Sequence, residues 1–156
     1  MTKLDQIDIT LLQLLQEDGT ITKKELADRV HRSLAVVHER IRSLRTRGYI
    51  KRIGAVLDRG KVGFGVVSFS QVFLDNHSPL ALQEFENTIM EFSEVIECFQ
   101  IAGSYDFLLR IATSDMASYN RFLRERLAVV PAIDRIQSFF VLSESKNDMI
   151  YPLPID

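Results

Sequence analysis

Between Thr20 and Lys51 the chain reads TITKKELADRVHRSLAVVHERIRSLRTRGYIK, and two helix-start signals confine this stretch to a pair of short helices around a tight turn. Thr22 is a natural N-cap, Glu25 three positions later completes a capping box, and Ile21 can staple against Leu26. The first of the pair is expected to begin at Thr22 or Lys23. It should end near Val30, because His31-Arg32 is a polar turn and Ser33 offers a fresh cap. The second should run until Gly48 supplies a C′ position. At about 100° per residue, Leu34, Val37, Ile41 and Leu44 share one arc and are expected to face a core. The opposite side carries Ala35, Glu39, Arg42 and Thr46, flanked by Val36, His38 and Ser43.

Small and hydrogen-bonding side chains near the start of such a helix suit base edges, and arginines suit phosphates or guanine. From His31 to Arg52 there are seven basic residues (Arg32, Arg40, Arg42, Arg45, Arg47, Lys51 and Arg52) against one acid, Glu39. On an arbitrary helix such a row is more simply a solvated face. The charge distribution favours the other reading. Residues 1–60 hold 12 Lys/Arg and 8 Asp/Glu, net +4; residues 61–156 hold 7 and 13, net −6; together they give the chain's −2. A basic third joined to an acidic remainder is the footprint of a DNA-binding module attached to something with another task. The expected partner is double-stranded DNA, and the expected contact set is Arg32, Ser33, Ala35, Val36, His38, Glu39, Arg40, Arg42, Ser43, Lys51 and Arg52.

A helix ahead of this pair is signalled by Leu4, Ile7, Leu11, Leu14 and Leu15, closed by Gly19. Three helices complete a helix-turn-helix unit. Tyr49 to Leu57 reads as a strand, either a rudimentary wing or the start of a connector. Asp58-Arg59-Gly60-Lys61 is polar and carries a turn glycine, which places the domain boundary there: residues 1–60 for DNA binding with a connecting strand, 61–156 for a second domain.

Beyond the boundary the period changes. Val66 to Leu74 is strand-like, Ser78-Pro79 is a cap followed by proline at N1, and Leu82, Phe85, Ile89 and Phe92 give the next helix a buried stripe. Val95 to Ala102 and Phe107 to Thr113 read as a hairpin broken at Gly103-Ser104. Ser114 or Asp115 caps a helix expected to reach about Val130, with Met116, Tyr119, Leu123 and Leu127 inward and Pro131 stopping it. A last strand is expected from Ile133 to about Ser143. The order β-α-β-β-α-β is that of a ferredoxin-like sandwich, so the fold class is α+β. Phe107-Leu108-Leu109 and Phe139-Phe140-Val141-Leu142 place large apolar residues on both sheet faces. A second copy of the sheet is the simplest cover for the face without helices, which predicts a homodimer. A dimer could address half-sites one helical turn, ~34 Å, or its multiples apart.

Other chemistries find little support. The longest uncharged run, Val62 to Leu74, is too short for a membrane span of about 20 residues, and Asp5 and Asp8 sit where a signal peptide would carry neither. A cytoplasmic, nucleoid-associated protein is expected. The single Cys98 has no partner for an internal disulfide and reads as a small buried hydrophobe. His31, His38 and His77 form no zinc spacing, and Gly63-Phe64-Gly65 lacks the third glycine of a dinucleotide loop. No catalytic residue, metal or cofactor is assigned.

Taken together, these pieces resemble the Lrp/AsnC, or feast/famine, family of prokaryotic transcriptional regulators over essentially the whole chain. The matching residues are Leu4-Asp5-Gln6-Ile7-Asp8, Leu15-Gln16-Glu17-Asp18-Gly19, Glu25-Leu26-Ala27 through Arg40-Ile41, Leu44 to Ile50, Glu97-Cys98, Gly103 to Leu109, and Asp115-Met116. Leu34 departs from the proline that many relatives carry after the cap serine. The resemblance implies a C-terminal domain that senses a small molecule, usually an amino acid, between dimers, and assembly as far as an octamer. In the Gly103-Ser104-Tyr105-Asp106 turn, Asp106 could take an ammonium while Gly103, Ser104 and Tyr105 supply backbone donors, a hydroxyl and a wall. Equally, Gly103 could be a plain hairpin glycine and Asp106 a turn residue satisfying local backbone. Met116, Tyr119 and Ser138 are further wall candidates that could instead be core. Two alternatives stay open: an architectural nucleoid DNA-binding protein, and a tetrapyrrole-processing decarboxylase of the kind some proteins similar to this family have become.

Overall fold

The computed structural model describes residues 4–147 and 150–153, and the chain divides into two compact units, Met1–Val56 with Lys146–Asp156, and Leu57–Ser145. The division falls between Val56 and Leu57, immediately ahead of the Asp58–Lys61 turn. The C-terminal segment, which the sequence reading grouped with the second domain, joins the first unit.

In the first unit α1 (Gln6–Glu17) is capped by Asp5, whose side chain accepts from the Asp8 N–H. Helix α2 (Lys23–Arg29) carries the expected capping box, Thr22 and Glu25 bonding reciprocally, and α3 (Leu34–Thr46) starts at Ser33. Both α2 and α3 end in the same motif. After α2, Arg32 N–H reaches Ala27 O at 3.0 Å and His31 N–H reaches Asp28 O at 3.3 Å; after α3, Tyr49 N–H reaches Leu44 O and Gly48 N–H reaches Arg45 O, each at 2.9 Å. Such a Schellman ending needs a left-handed residue at C′. Gly48 supplies it at φ 78°, whereas the α2–α3 turn forces His31 to φ 52°. The core is Leu11, Leu12, Leu26, Ala27, Val37, Ile41 and Leu44, with Leu153 of the C-terminal segment packed against it. That segment is also held by a backbone-like pairing: Tyr151 N–H donates to Gln16 Oε1 at 2.9 Å, and Gln16 Nε2 donates back to Tyr151 O at 3.4 Å.

Two sequence expectations fail here. Leu34 is 54 % exposed rather than inward. It is the first helical residue, and a helical Cβ tilts toward the N-terminus, so its side chain leans back over the turn instead of onto the core. Tyr49–Leu57 forms no strand. An extended apolar run becomes a strand only beside another, and among the described residues none pairs with it.

The second unit holds β1 (Val66–Leu74), α4 (Pro79–Met90), β2 (Val95–Gln100), β3 (Phe107–Thr113), α5 (Met116–Phe122) and β4 (Ile133–Phe140). The strands form one sheet in the order β2-β3-β1-β4, with every pairing antiparallel. β2 and β4 end slightly short of the expected Ala102 and Ser143. Alternation along β1 sets the layers. Val72 and Leu74 join Phe107, Leu109 and Ile111 of β3 in a core closed by Phe85, Ile89, Tyr119, Phe122 and Leu127 from the helical side. Gly65 lets the chain close on the start of α5: a Cβ there would lie 2.7 Å from Ser114 O.

α5 differs from the expected long helix. After Phe122 the chain makes one π-helical turn, Leu123–Leu127, with Ala128 N–H bonded to Leu123 O at 2.8 Å. The wider turn buries Leu127 and swings Arg126 onto Glu94, at 2.6 and 2.7 Å, with its guanidinium 4.5 Å from the Phe92 ring centroid. Met116, expected inward, is 52 % exposed for the same reason as Leu34, because it is the first residue after the Asp115 cap.

Candidate nucleic-acid interface and effector site

The helix expected to read DNA presents a continuous outer face. Ala35, Val36, His38, Glu39 and Arg42 are all exposed, Ser43 is half-buried at the margin, and Arg45, Thr46 and Arg47 extend the face toward the helix end. Val37, Ile41 and Leu44 on the opposite side hold it to the core. Ser33 has a local task, its hydroxyl accepting from Val36 N–H at 3.4 Å, and Arg32 donates to its neighbour's carbonyl, His31 O, at 2.9 Å. Arg42 pairs with Glu39 at 2.9 Å, both well exposed, so this contact is weak enough for a ligand to replace. Lys51 and Arg52 are exposed on the segment after α3. Arg47 lies over the Tyr49 ring, 4.8 Å from its centroid.

Arg40 does not share this face. Its Nη1 contacts Asp5 Oδ2 at 2.7 Å and Asp8 Oδ1 at 2.8 Å, and these hydrogen bonds, Asp5 first, hold the guanidinium firmly protonated. One member of the sequence-derived contact set is thus a bolt between α3 and α1. The signal for it lay in Asp5 and Asp8, which the sequence reading used against a signal peptide and for the family resemblance, without pairing them with Arg40.

In the second unit the Gly103–Asp106 turn lies between β2 and β3, with Gly103 and Ser104 exposed and Tyr105 half-buried. Asp106 is engaged on both oxygens. Oδ2 accepts from Leu74 N–H at 2.8 Å, and Oδ1 meets His77 Nε2 at 2.9 Å. Its own backbone N–H donates to Val72 O at 3.0 Å. The local-backbone role weighed for Asp106 is therefore present, and only the bond to the exposed His77 offers an oxygen to an incoming cation. Tyr105 stands edge-on to Phe73 at 6.2 Å, and Arg135 covers the Phe73 ring at 3.8 Å, an aromatic-cation stack beside the turn.

Tyr119 and Ser138 are brought together, but not with that turn. The Tyr119 hydroxyl donates to Ser138 Oγ at 2.5 Å, and Ser70 Oγ lies 3.0 Å from Ser138 Oγ and 3.3 Å from the Tyr119 hydroxyl. This polar knot is buried beneath α5 against Ser70, four residues along β1 from the Leu74 that anchors Asp106. That is roughly 13 Å at ~3.3 Å per residue. Met116 is on the outer side of α5. The seven effector candidates thus fall into three places. Cys98 is half-buried, and burial pushes its thiol up to about 11, which makes it inert at neutral pH.

Comparison with known proteins finds two family matches in succession along the chain. Residues 4–51 match a winged helix-turn-helix DNA-binding family, and residues 67–151 match the Lrp/AsnC ligand binding domain. The chain is 35% identical over 144 residues to a proline dehydrogenase transcriptional activator of Rhizobium radiobacter, covering 92% of each chain. It is 31% identical to the leucine-responsive regulatory protein of Escherichia coli K12, covering 92% of this chain and 88% of that one. Among solved structures, a transcriptional regulator from Neisseria meningitidis in complex with L-Met superposes with a TM-score of 0.89 at 31% identity, covering 96% of this chain and 97% of that one. An AsnC family regulator from Agrobacterium tumefaciens gives 0.88 at 32% identity, with the same coverage. The family consists of regulators rather than enzymes, which removes the decarboxylase reading. The chain belongs to the Lrp/AsnC family of transcriptional regulators, with a helix-turn-helix DNA-binding unit followed by a ligand-binding one.

Proposed function

We propose that α3 reads the major groove through Ala35, Val36, His38, Glu39, Arg42 and Ser43, while Arg32, Lys51 and Arg52 hold phosphates. The observation that carries this reading is the unbroken exposed face of α3, fixed to its core by three buried residues on the opposite side. Among the described residues Arg42 pairs only with the exposed Glu39, so the pair can reopen onto a base edge. The protein acts as a homodimer in the cytoplasm, associated with the nucleoid. The sheet face away from the helices supports a second copy, since it exposes Phe99 by 46 % and Phe139 by 49 %. Assembly beyond the dimer, as far as an octamer, would multiply the reading heads.

The effector is an amino acid bound at the Gly103–Asp106 turn. Its ammonium replaces His77 on Asp106 Oδ1 while Oδ2 stays on Leu74, and Tyr105 forms a wall. A regulator from Neisseria meningitidis crystallised with L-Met, and the leucine-responsive protein of Escherichia coli, support this effector class. Binding changes promoter occupancy only as far as the effector favours one assembly state over another.

Fluorescence anisotropy with duplexes recovered by in vitro selection tests the DNA reading. The expected ratio of specific to non-specific affinity is ~10³ or more at fixed salt. Arg42→Ala should lower that ratio, whereas Arg52→Ala should weaken both kinds of binding and reduce the salt slope by about 0.9 for the lost phosphate contact. Equal affinity for all sequences would leave an architectural DNA binder instead.

A further inference from the structure

The second unit contains a cavity that lies apart from the Gly103–Asp106 turn. It has a volume of about 410 Å³ and opens between the turn at Gly63-Phe64, the far end of β3 at Ala112–Ser114, and the outer side of α5. This is within the ordinary size range of small-molecule sites, roughly 300–1,000 Å³. Its contents are sorted by charge in an unusual way. Arg126 and Glu94 are satisfied by each other, as described above. Arg121 and Glu125, one turn apart on the same wall, have no hydrogen-bond or ion-pair partner among the described residues. They do not close on each other across that turn. Ser114 and Ser118 line the same cavity with hydroxyls 2.9 Å apart, Ser114 Oγ also donating to Asp115 Oδ2 at 3.3 Å, and Phe64 and Phe122 supply apolar walls.

We propose that this cavity is a second ligand site, one that takes an α-amino-acid zwitterion. The carboxylate falls to Arg121 with the serine hydroxyls, the ammonium to Glu125, and an apolar side chain to the Phe64–Phe122 walls. A simple anion would meet Glu125 as well as Arg121, and a simple cation the reverse, whereas a ligand carrying both signs at short range pairs with both exposed side chains at once.

The site adjoins the chain's path out of this unit. Arg59 donates from Nη1 to the carbonyls of Phe64 and Gly65, at 3.3 and 3.4 Å, and from Nε to Glu144 Oε2 at 3.3 Å. Arg59 therefore clasps the segment entering the unit to the segment leaving it. A ligand resting on Phe64 bears on that clasp.

The test is isothermal titration of the full chain with each of the twenty protein amino acids, repeated for every binder on Arg121→Gln, Glu125→Gln and Asp106→Asn. For at least one amino acid, Arg121→Gln and Glu125→Gln should each weaken binding tenfold or more, with an unchanged melting temperature of the free protein, since both side chains are exposed. Asp106→Asn should leave that binding event in place. The proposal is overturned if both cavity variants bind every wild-type ligand with unchanged affinity and stoichiometry, or if no amino acid binds the wild type. Binding lost in Asp106→Asn alone overturns the cavity site while leaving the turn site standing. DNA anisotropy on the same variants reports separately on the regulatory reading.

Discussion

Asp8 and Arg40 meet at 2.8 Å, with the carboxylate almost wholly inside and the guanidinium also reaching Asp5. An arginine from the most basic helix of the chain is thereby held to α1 by two acids. The surrounding arginines are left exposed, so substitution separates stability from DNA binding.

Arg40→Ala should destabilise the first unit by about 2 kcal/mol, because it strips a charged hydrogen bond from a nearly buried carboxylate. Arg42→Ala should leave stability within about 0.5 kcal/mol of wild type and lower specific DNA affinity. Urea denaturation beside anisotropy on both variants checks this, and equal stability losses would place Arg40 on the DNA face after all.

His31 pays a conformational cost at φ 52° that glycine would not. His31→Gly should raise stability by about 0.5–1 kcal/mol, because it relieves the left-handed C′ position while leaving both Schellman bonds intact. Thermal melts of the two proteins decide it; a lower melting temperature would mean that the imidazole has an energetic role its exposure does not suggest.

Much of this was legible in the sequence, and the failures share causes. Capping chemistry is local, so Thr22, Ser33, Ser78 and Gly48 could be read from neighbours a few residues away, and the helix and strand starts followed. Leu34 and Met116 were misplaced because periodicity treats the first helical residue like any other, whereas its side chain leans off the end. The strand expected at Tyr49–Leu57 depended on a partner that composition cannot supply. The π turn at Leu123–Leu127 and the pairing of Arg40 with Asp5 and Asp8 are decided by packing between distant residues, which no local pattern reports. In the second unit, Asp106 was read as either an ammonium partner or a turn residue satisfying local backbone. Its grip on Leu74 N–H became visible only once the strand register was known.

Acid should loosen the helix starts. Asp5, Glu25 and Asp115 all sit below their ordinary values of 3.8, 4.5 and 3.8, because each accepts a hydrogen bond, from Asp8 N–H, the Thr22 hydroxyl and Ser118 N–H respectively. The unfolded chain, with its higher values, takes up these protons first as pH falls. The stabilisation is thus complete above the ordinary values and is lost on descending through the folded ones. Melting temperatures should be flat in this respect above about pH 5 and fall below about pH 4, with Asp5→Asn removing part of the slope. An unchanged slope in that variant would rule Asp5 out as a contributor.

Tyr119→Phe removes the hydroxyl that binds Ser138 and Ser70 in the buried knot. Stability should fall by about 1–2 kcal/mol, since Ser138 and Ser70 retain each other but lose a shared partner. If amino-acid binding is unaffected in the same protein, the knot is structural.

The return of residues 150–153 to the first unit imposes an order of events on synthesis. Tyr151 lies 135 positions beyond the Gln16 it bonds to, so it appears only after the whole intervening unit has left the ribosome. Leu153 therefore reaches the three-helix core only as a late addition. A nascent chain stalled before that point would lack both the Gln16–Tyr151 latch and the Leu153 contact.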